Sequence, residues 1–193
     1  FVALEDKRFY SHKGYDPKGI IRAVLRNIKA GKAVEGASTI TQQLVKNTHL
    51  SAERTLSRKL KEIAIAMKIE ENYSKDEILA MYLSVIYFGA GAYGINEASR
   101  TYFGCEPCDL TVAQAATLAG ILKNPSRYSP KNSVGRATER RNLVLDVMCR
   151  EGYITEAERD EAKAEKMRLA KEGEEGGNYA EQYVAAAVRE ACW

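Results

Sequence analysis

Metal and redox chemistry have little material to work with in this chain. Its 193 residues include only two histidines and four cysteines. Cys105 and Cys108 form a C-x-x-C pair, while Cys149 and Cys192 stand alone. A zinc site needs a second pair of ligands at comparable spacing, and His12 and His49 do not supply it. A thioredoxin-like role needs a strand–helix–strand setting, which the pattern lacks, so the pair reads as loop thiols or a local disulfide. Four prolines are too few to break up long helices. No apolar run approaches the ~18 residues that span a bilayer; the best, residues 110–122, carries Thr111, Gln114 and Thr117. No signal-peptide pattern is present. A net charge of +3 comes without the dense basic stripe of a nucleic-acid binder, so no nucleic-acid partner is expected.

What is present is an ordinary globular composition, 45% hydrophobic and 28% charged, with a real core within reach. Helix signals follow one another along the chain. Asp16-Pro17 reads as an N-cap and a proline at the first helical position. Ile20, Ile21, Val24, Leu25 and Ile28 then recur at helical spacing until Gly31. Residues 31–37 read as a loop, and Ser38 or Thr39 caps a helix to about Asn47. Ser51 opens the longest pattern, to about Asn72, with Leu56, Leu60, Ile63 and Met67 as an apolar stripe expected in the core.

Ser74–Glu77 is a capping box starting a helix to about Ile86; Thr111–Gln114 is a second, opening an Ala/Leu-rich helix expected at the centre of a lobe. Gly89, Gly91 and Gly94 break the chain between them, and a short helix runs through Glu97-Ala98-Ser99. Asn124-Pro125 stops the Ala/Leu-rich helix. Residues 134–151 are helical again, Thr155 starts a charged helix, and residues 171–177 read as a polar, glycine-rich linker. A last helical stretch, 179–191, follows. With no repeat and no convincing strand, the expected class is all-α. The expected organisation is one domain over residues 1–177 and a helical segment over 178–193. Because the chain opens at Phe1 rather than Met, it is expected to belong to a longer protein.

Four segments carry candidate chemistry. Glu5-Asp6 sits between an apolar lead-in and the aromatics Phe9 and Tyr10; apolar neighbours favour a carboxylate that moves protons near neutral pH, and nearby cations oppose that shift. Residues 36–47 place Thr39, Gln43 and Lys46 or Asn47 on one helix face, a polar stripe ending in a cation. Arg58 and Glu62 lie four apart and can pair; alone, such a pair on a surface helix is worth only ~0.3–0.5 kcal/mol. Residues 75–84 form the fourth. His12 is expected to be a structural hydrogen-bonding residue near Glu5.

Together these segments supply Glu5-Asp6-x-x-Phe9-x-x-His12-x-Gly14, Gly36-x-Ser38-Thr39-x-x-Gln42-Gln43-x-x-Lys46-Asn47, Arg58-Lys59-x-x-Glu62 and Ala98-Ser99-x-x-Tyr102-Phe103-Gly104. In this order and spacing they resemble the motifs of the peptidoglycan glycosyltransferase family (glycosyltransferase family 51), the polymerising domain of class A penicillin-binding proteins. The resemblance covers most of residues 1–130. It departs at Ala80, where the family usually has Glu, and at Ser84, where it usually has Asn.

The resemblance implies a lysozyme-like, two-lobed, all-helical domain with a central cleft. It implies a reaction on lipid II, a disaccharide-pentapeptide carried on undecaprenyl diphosphate. The anomeric carbon of the growing glycan chain is joined to the C4 hydroxyl of an incoming lipid II, with inversion to a β-1,4 bond and release of undecaprenyl diphosphate. Glu5 would act as general base and Glu62 would assist departure of the diphosphate, by orienting Arg58 or by holding a divalent ion. Asp6, Ser38, Thr39, Gln42, Gln43, Lys46, Asn47, Arg58 and Lys59 would bind substrate. No cofactor is required; magnesium or manganese is optional. The implied partners are lipid II, the glycan chain, the membrane interface (met by Phe1, Val2 and Leu4 if these are exposed) and a covalently linked transpeptidase domain. The implied location is the extracytoplasmic face of a bacterial membrane. Two other readings stay open: a lysozyme-like enzyme that cleaves glycan with two carboxylates, opposed by the diphosphate-binding cations, and a non-catalytic module that binds cell-wall precursor.

Overall fold

The computed structural model describes residues 1–32, 36–49 and 55–171. The chain divides into two compact units, one from Phe1 to Ile86 and one from Tyr87 onward. Each is built of helices, so the all-α expectation holds. All of the expected linker 171–177 after Lys171, the expected helix 179–191, and with them the expected domain boundary at 177, lie outside the described residues.

The first unit contains α1 (Val2–Glu5), α2 (Pro17–Ala30), α3 (Ile40–His49), α4 (Leu56–Asn72) and α5 (Lys75–Val85). α3 packs on both α4 and α5; Ile40, Leu44 and Val45 of α3, Ala66 of α4, Ile78 and Tyr82 of α5, and Phe9 are all buried. Gly14 has φ +84°, and a Cβ there would stand 2.7 Å from the Met67 backbone nitrogen. Only glycine lets the Phe9–Gly14 segment lie against the α4 backbone, which brings the amino-terminal motif onto the helix carrying Arg58 and Glu62.

Local signals set the helix ends. Pro17 opens α2 and Gly31, in the left-handed conformation, closes it. Thr39 accepts a hydrogen bond from the Gln42 backbone N–H while Gln42 Oε1 accepts from Thr39 N–H, a reciprocal cap at the start of α3. The capping box at Ser74 and Glu77 is formed as expected. α4, however, does not begin at Ser51. Thr55 is extended and caps it, with its side chain accepting from Arg58 N–H; residues 50–54 lie outside the described residues.

One expectation about burial fails. Leu56, Leu60 and Met67 are exposed, at 86%, 68% and 40%, and Ile63 is only half-buried. The face of α4 turned inward carries Glu62 and Ala66 instead. Periodicity identified a face of this helix but not its direction, and the buried side is the one holding the charged motif. Phe1, Val2 and Leu4 would meet a membrane interface only if exposed, and that condition is not met: Val2 belongs to the core, while Phe1 and Leu4 are half-buried.

The second unit holds β1 (Tyr87–Gly89), β2 (Ala92–Tyr93), α6 (Ile95–Phe103), α7 (Val112–Ile121), α8 (Pro125–Tyr128), α9 (Val134–Arg150) and α10 (Glu156–Ala164). α7 is its buried centre, as expected, packed mainly against α9, with Ala116, Leu118, Ile121, Val144 and Leu145 buried. The two strands correct the strand-free expectation. They form an antiparallel hairpin in which Tyr87 opposes Tyr93 and Gly89 opposes Ala92. Its turn needs positive φ at Gly89, Ala90 and Gly91. The strands are too short for an alternating pattern to register, and the glycines read as breaks.

Candidate active site

Every sequence-predicted site residue lies in the first unit. Asp6 is buried, and its Oδ2 accepts from His12 Nε2 at 2.8 Å and from the Ile40 backbone N–H at 3.0 Å. The second bond places a carboxylate at the amino terminus of α3, where the helix dipole favours negative charge. Asp6 is therefore held inside the fold, tying the amino-terminal segment to α3. His12 is buried with it, in the structural role expected. Its ring is also 3.7 Å from Glu70, which accepts from Thr41 Oγ1 at 2.6 Å and pairs with Lys75 at 2.6 Å.

With Asp6 pinned, its neighbour Glu5 is aimed at the next turn of α3. Glu5 is half-buried, and its Oε2 accepts from Gln43 Nε2 at 3.1 Å. The other end of the same amide, Gln43 Oε1, accepts from the Tyr82 hydroxyl at 3.2 Å. Tyr82 is buried, and burial together with the Glu5 charge pushes its phenol well above the usual tyrosine range. Tyr82 was missed in the sequence. It falls on the inward face of α5 beside Ile78, and only the pairing of α3 with α5 gives its hydroxyl a partner.

The cationic cluster is built from beneath. Glu62 is almost completely buried, with 2% of its side chain exposed, and receives both Arg58, at 3.1 Å, and Lys59. The two cations are more open, at 17% and 36%. Arg58 Nε has no hydrogen-bond partner among the described residues. Lys59 also donates to Ser38 Oγ at 2.9 Å and to Gln42 Oε1 at 3.1 Å. One buried carboxylate under two cations leaves a net positive charge, with the cations on the accessible side.

α3 joins the two groups. Consecutive residues at its start divide the work: Gln43 holds Glu5, and Gln42 holds Lys59. Thr39 and Gln42 are buried and occupied within the fold, Thr39 Oγ1 donating to the Gly14 carbonyl at 2.8 Å. Ser38, Lys46 and Asn47 are exposed; Lys46 and Asn47 sit one turn beyond Gln43, on the face that holds Glu5. Among the described residues no group of three or more His, Cys, Asp or Glu could hold a metal ion. The departures from the family pattern are both at the surface: Ala80 and Ser84 are exposed, and Ser84 Oγ donates to the Met81 carbonyl at 2.8 Å. Both positions face solvent, where water can replace a hydrogen bond lost from the side chain itself.

A family model described as Transglycosylase matches residues 1–149. Penicillin-binding protein 1A of Vibrio cholerae is 52% identical over 164 residues, covering 85% of this chain and 20% of that protein. Penicillin-binding protein 1A of Escherichia coli is 50% identical over 165 residues, covering 86% and 19%. Penicillin-binding protein 1F of Bacillus subtilis is 46% identical over 191 residues, covering 99% and 27%. A crystal structure of penicillin-binding protein 1A from Haemophilus influenzae matches 78% of this chain and 19% of that one at 30% identity, with a TM-score of 0.49. The chain thus spans between 19% and 27% of the length of these relatives.

Proposed function

This chain belongs to the transglycosylase family, a family of glycosyltransferase enzymes, and from that premise we propose that it polymerises lipid II into β-1,4-linked glycan strands. Glu5 takes the proton from the C4 hydroxyl of the incoming lipid II as that oxygen attacks the anomeric carbon of the growing chain. A sugar hydroxyl is a weak nucleophile, so its proton must leave as the bond forms. Attack from the face opposite the diphosphate inverts the α-linked centre to β, and undecaprenyl diphosphate departs.

The observation that carries this reading is the buried Glu62 carboxylate beneath Arg58 and Lys59. A carboxylate so placed is suited to fixing two cations, not to donating a proton. Of the two roles open to Glu62, orienting Arg58 is the better supported. The cations are left positioned for the charge that develops on a leaving diphosphate. At ~4 Å and an effective dielectric near 20, one such pair is worth roughly 4 kcal/mol before desolvation, and only the part gained in the transition state accelerates the reaction. Lys46, exposed on α3, adds a third cation for the phosphates, with Asn47 and Ser38 as accessible polar contacts. A divalent ion stays optional.

The proposed setting is the extracytoplasmic face of the bacterial membrane. α2 supports it: Ile20, Ile21, Val24, Leu25 and Ile28 are all exposed, Ile28 at 73%, an apolar face of the kind that lies in a membrane interface. We also propose that the chain is one domain of a protein that continues into a transpeptidase domain, in keeping with the fraction of its relatives that it spans.

Incubation with lipid II in detergent tests the reading. The expected products are a glycan polymer and free undecaprenyl diphosphate. Shortening of pre-formed polymer would point to the glycan-cleaving alternative, and binding without turnover to the precursor-binding one.

A further inference from the structure

The Tyr82–Gln43–Glu5 chain of hydrogen bonds admits only one arrangement of protons. Ionised, Glu5 can only accept, so the amide nitrogen of Gln43 must face it, across 3.1 Å. The amide oxygen then faces Tyr82 at 3.2 Å and must receive the phenol proton. Burial and the charge on Glu5 both favour the protonated phenol, so Tyr82 remains a donor wherever the protein is folded near neutral pH. The carboxylate thereby decides which end of the Gln43 amide meets it, and the hydroxyl anchors the other end. Without the hydroxyl the amide keeps a single bond and is free to swing off the carboxylate.

We infer that Tyr82 is a positioning residue: its hydroxyl locks the Gln43 amide so that Gln43 holds the Glu5 carboxylate in one orientation. The catalytic consequence rests on the polymerase reading; the hydrogen-bond relay does not. The competing role for Tyr82 is that of a buried aromatic whose ring alone matters, packed on α5 beside Ile78 and against α3.

The test uses the intact chain with the variants Tyr82→Phe, Gln43→Met and the double variant. Tyr82→Phe keeps the ring and removes the hydroxyl; Gln43→Met keeps the side-chain length and removes both hydrogen bonds. For lipid II polymerisation, Tyr82→Phe is expected to lower kcat roughly 5- to 30-fold with KM changed less than about twofold. In the Gln43→Met background, adding Tyr82→Phe is expected to cost nothing further, because the relay is already cut. Wild-type kcat in Tyr82→Phe, or a full additional loss in the double variant, overturns the inference. So does wild-type kcat in Gln43→Met, even if Tyr82→Phe does not fold.

A second readout needs no activity. Hydrogen exchange of the Gln43 side-chain amide, followed by NMR, is expected to be slowed in the wild type and to accelerate in both Tyr82→Phe and Glu5→Gln. An amide indifferent to Tyr82→Phe overturns the inference. If the wild type makes no polymer while the amide responds as stated, the polymerase reading fails and the positioning of Glu5 stands. If the wild type makes polymer and the amide does not respond, the positioning inference fails alone.

Discussion

Ser74 and Glu77 show how much a single pair of side chains settles at the end of a helix. Glu77 accepts from both the Ser74 hydroxyl, at 2.7 Å, and the Ser74 backbone N–H, at 2.8 Å. These bonds hold its carboxyl below the usual glutamate range. A carboxyl whose folded-state value lies below its unfolded one adds stability that is complete above the unfolded value and fades as pH falls through the folded one. Ser74→Ala is therefore expected to lower the melting temperature by ~2–4 °C at pH 7. The gap should narrow as pH drops below the ordinary glutamate value of about 4.3. Thermal melts of both proteins at pH 7 and pH 3 check this; a gap of the same size at both would show that the serine acts without its glutamate. The same contrast between local and distant partners runs through the site. Thr39 capping α3 and Arg58 pairing with Glu62 need only a helical repeat and were legible in the sequence. Glu5 meeting Gln43, and Gln43 meeting Tyr82, join residues 38 and 39 positions apart and need the packing of α3 on α5.

Among the elements, α2 and α4 carry the clearest lesson in what hydrophobic periodicity leaves open. Both have an apolar face legible in the sequence, and both turn it outward. α4 does so because its inward side is committed to Glu62, whose two cations flank it, and to Ala66, which lets Gly14 approach the backbone. Nothing in the spacing of Leu56, Leu60, Ile63 and Met67 tells which side of the helix the rest of the chain will occupy. The capped starts of α5, α7 and α10 were legible because a cap is written within four residues. The hairpin of β1 and β2 was not, because its turn glycines look like any loop. For α2, the exposed apolar face leads to a prediction. Binding to vesicles, followed by co-sedimentation, is expected to fall by at least about tenfold in the double variant Ile21→Asp, Leu25→Asp. Turnover of a short-chain, water-soluble lipid II analogue should be preserved. Undiminished vesicle binding would remove α2 as the membrane contact.

Taken whole, the chain keeps all of its candidate chemistry in its first compact unit. The second unit is built around the apolar α7. Its clearest buried charge, Arg141, donates to the backbone carbonyls of Lys163 and Glu165 at 2.9 and 2.7 Å, which closes the carboxyl-terminal end of α10. In the first unit a carboxylate is offered on one side of the α3 start and a supported pair of cations on the other, each held by one of two adjacent glutamines. On the proposed reading the first removes a proton and the second stabilises a leaving diphosphate, the two tasks of a glycan polymerase that uses lipid II. The most direct measurement is the initial rate of lipid II polymerisation by Glu5→Gln against the wild type, with melting temperatures recorded for both. The expected result is a loss of at least about 100-fold in kcat with the melting temperature preserved. A folded Glu5→Gln that polymerises at the wild-type rate would contradict the account.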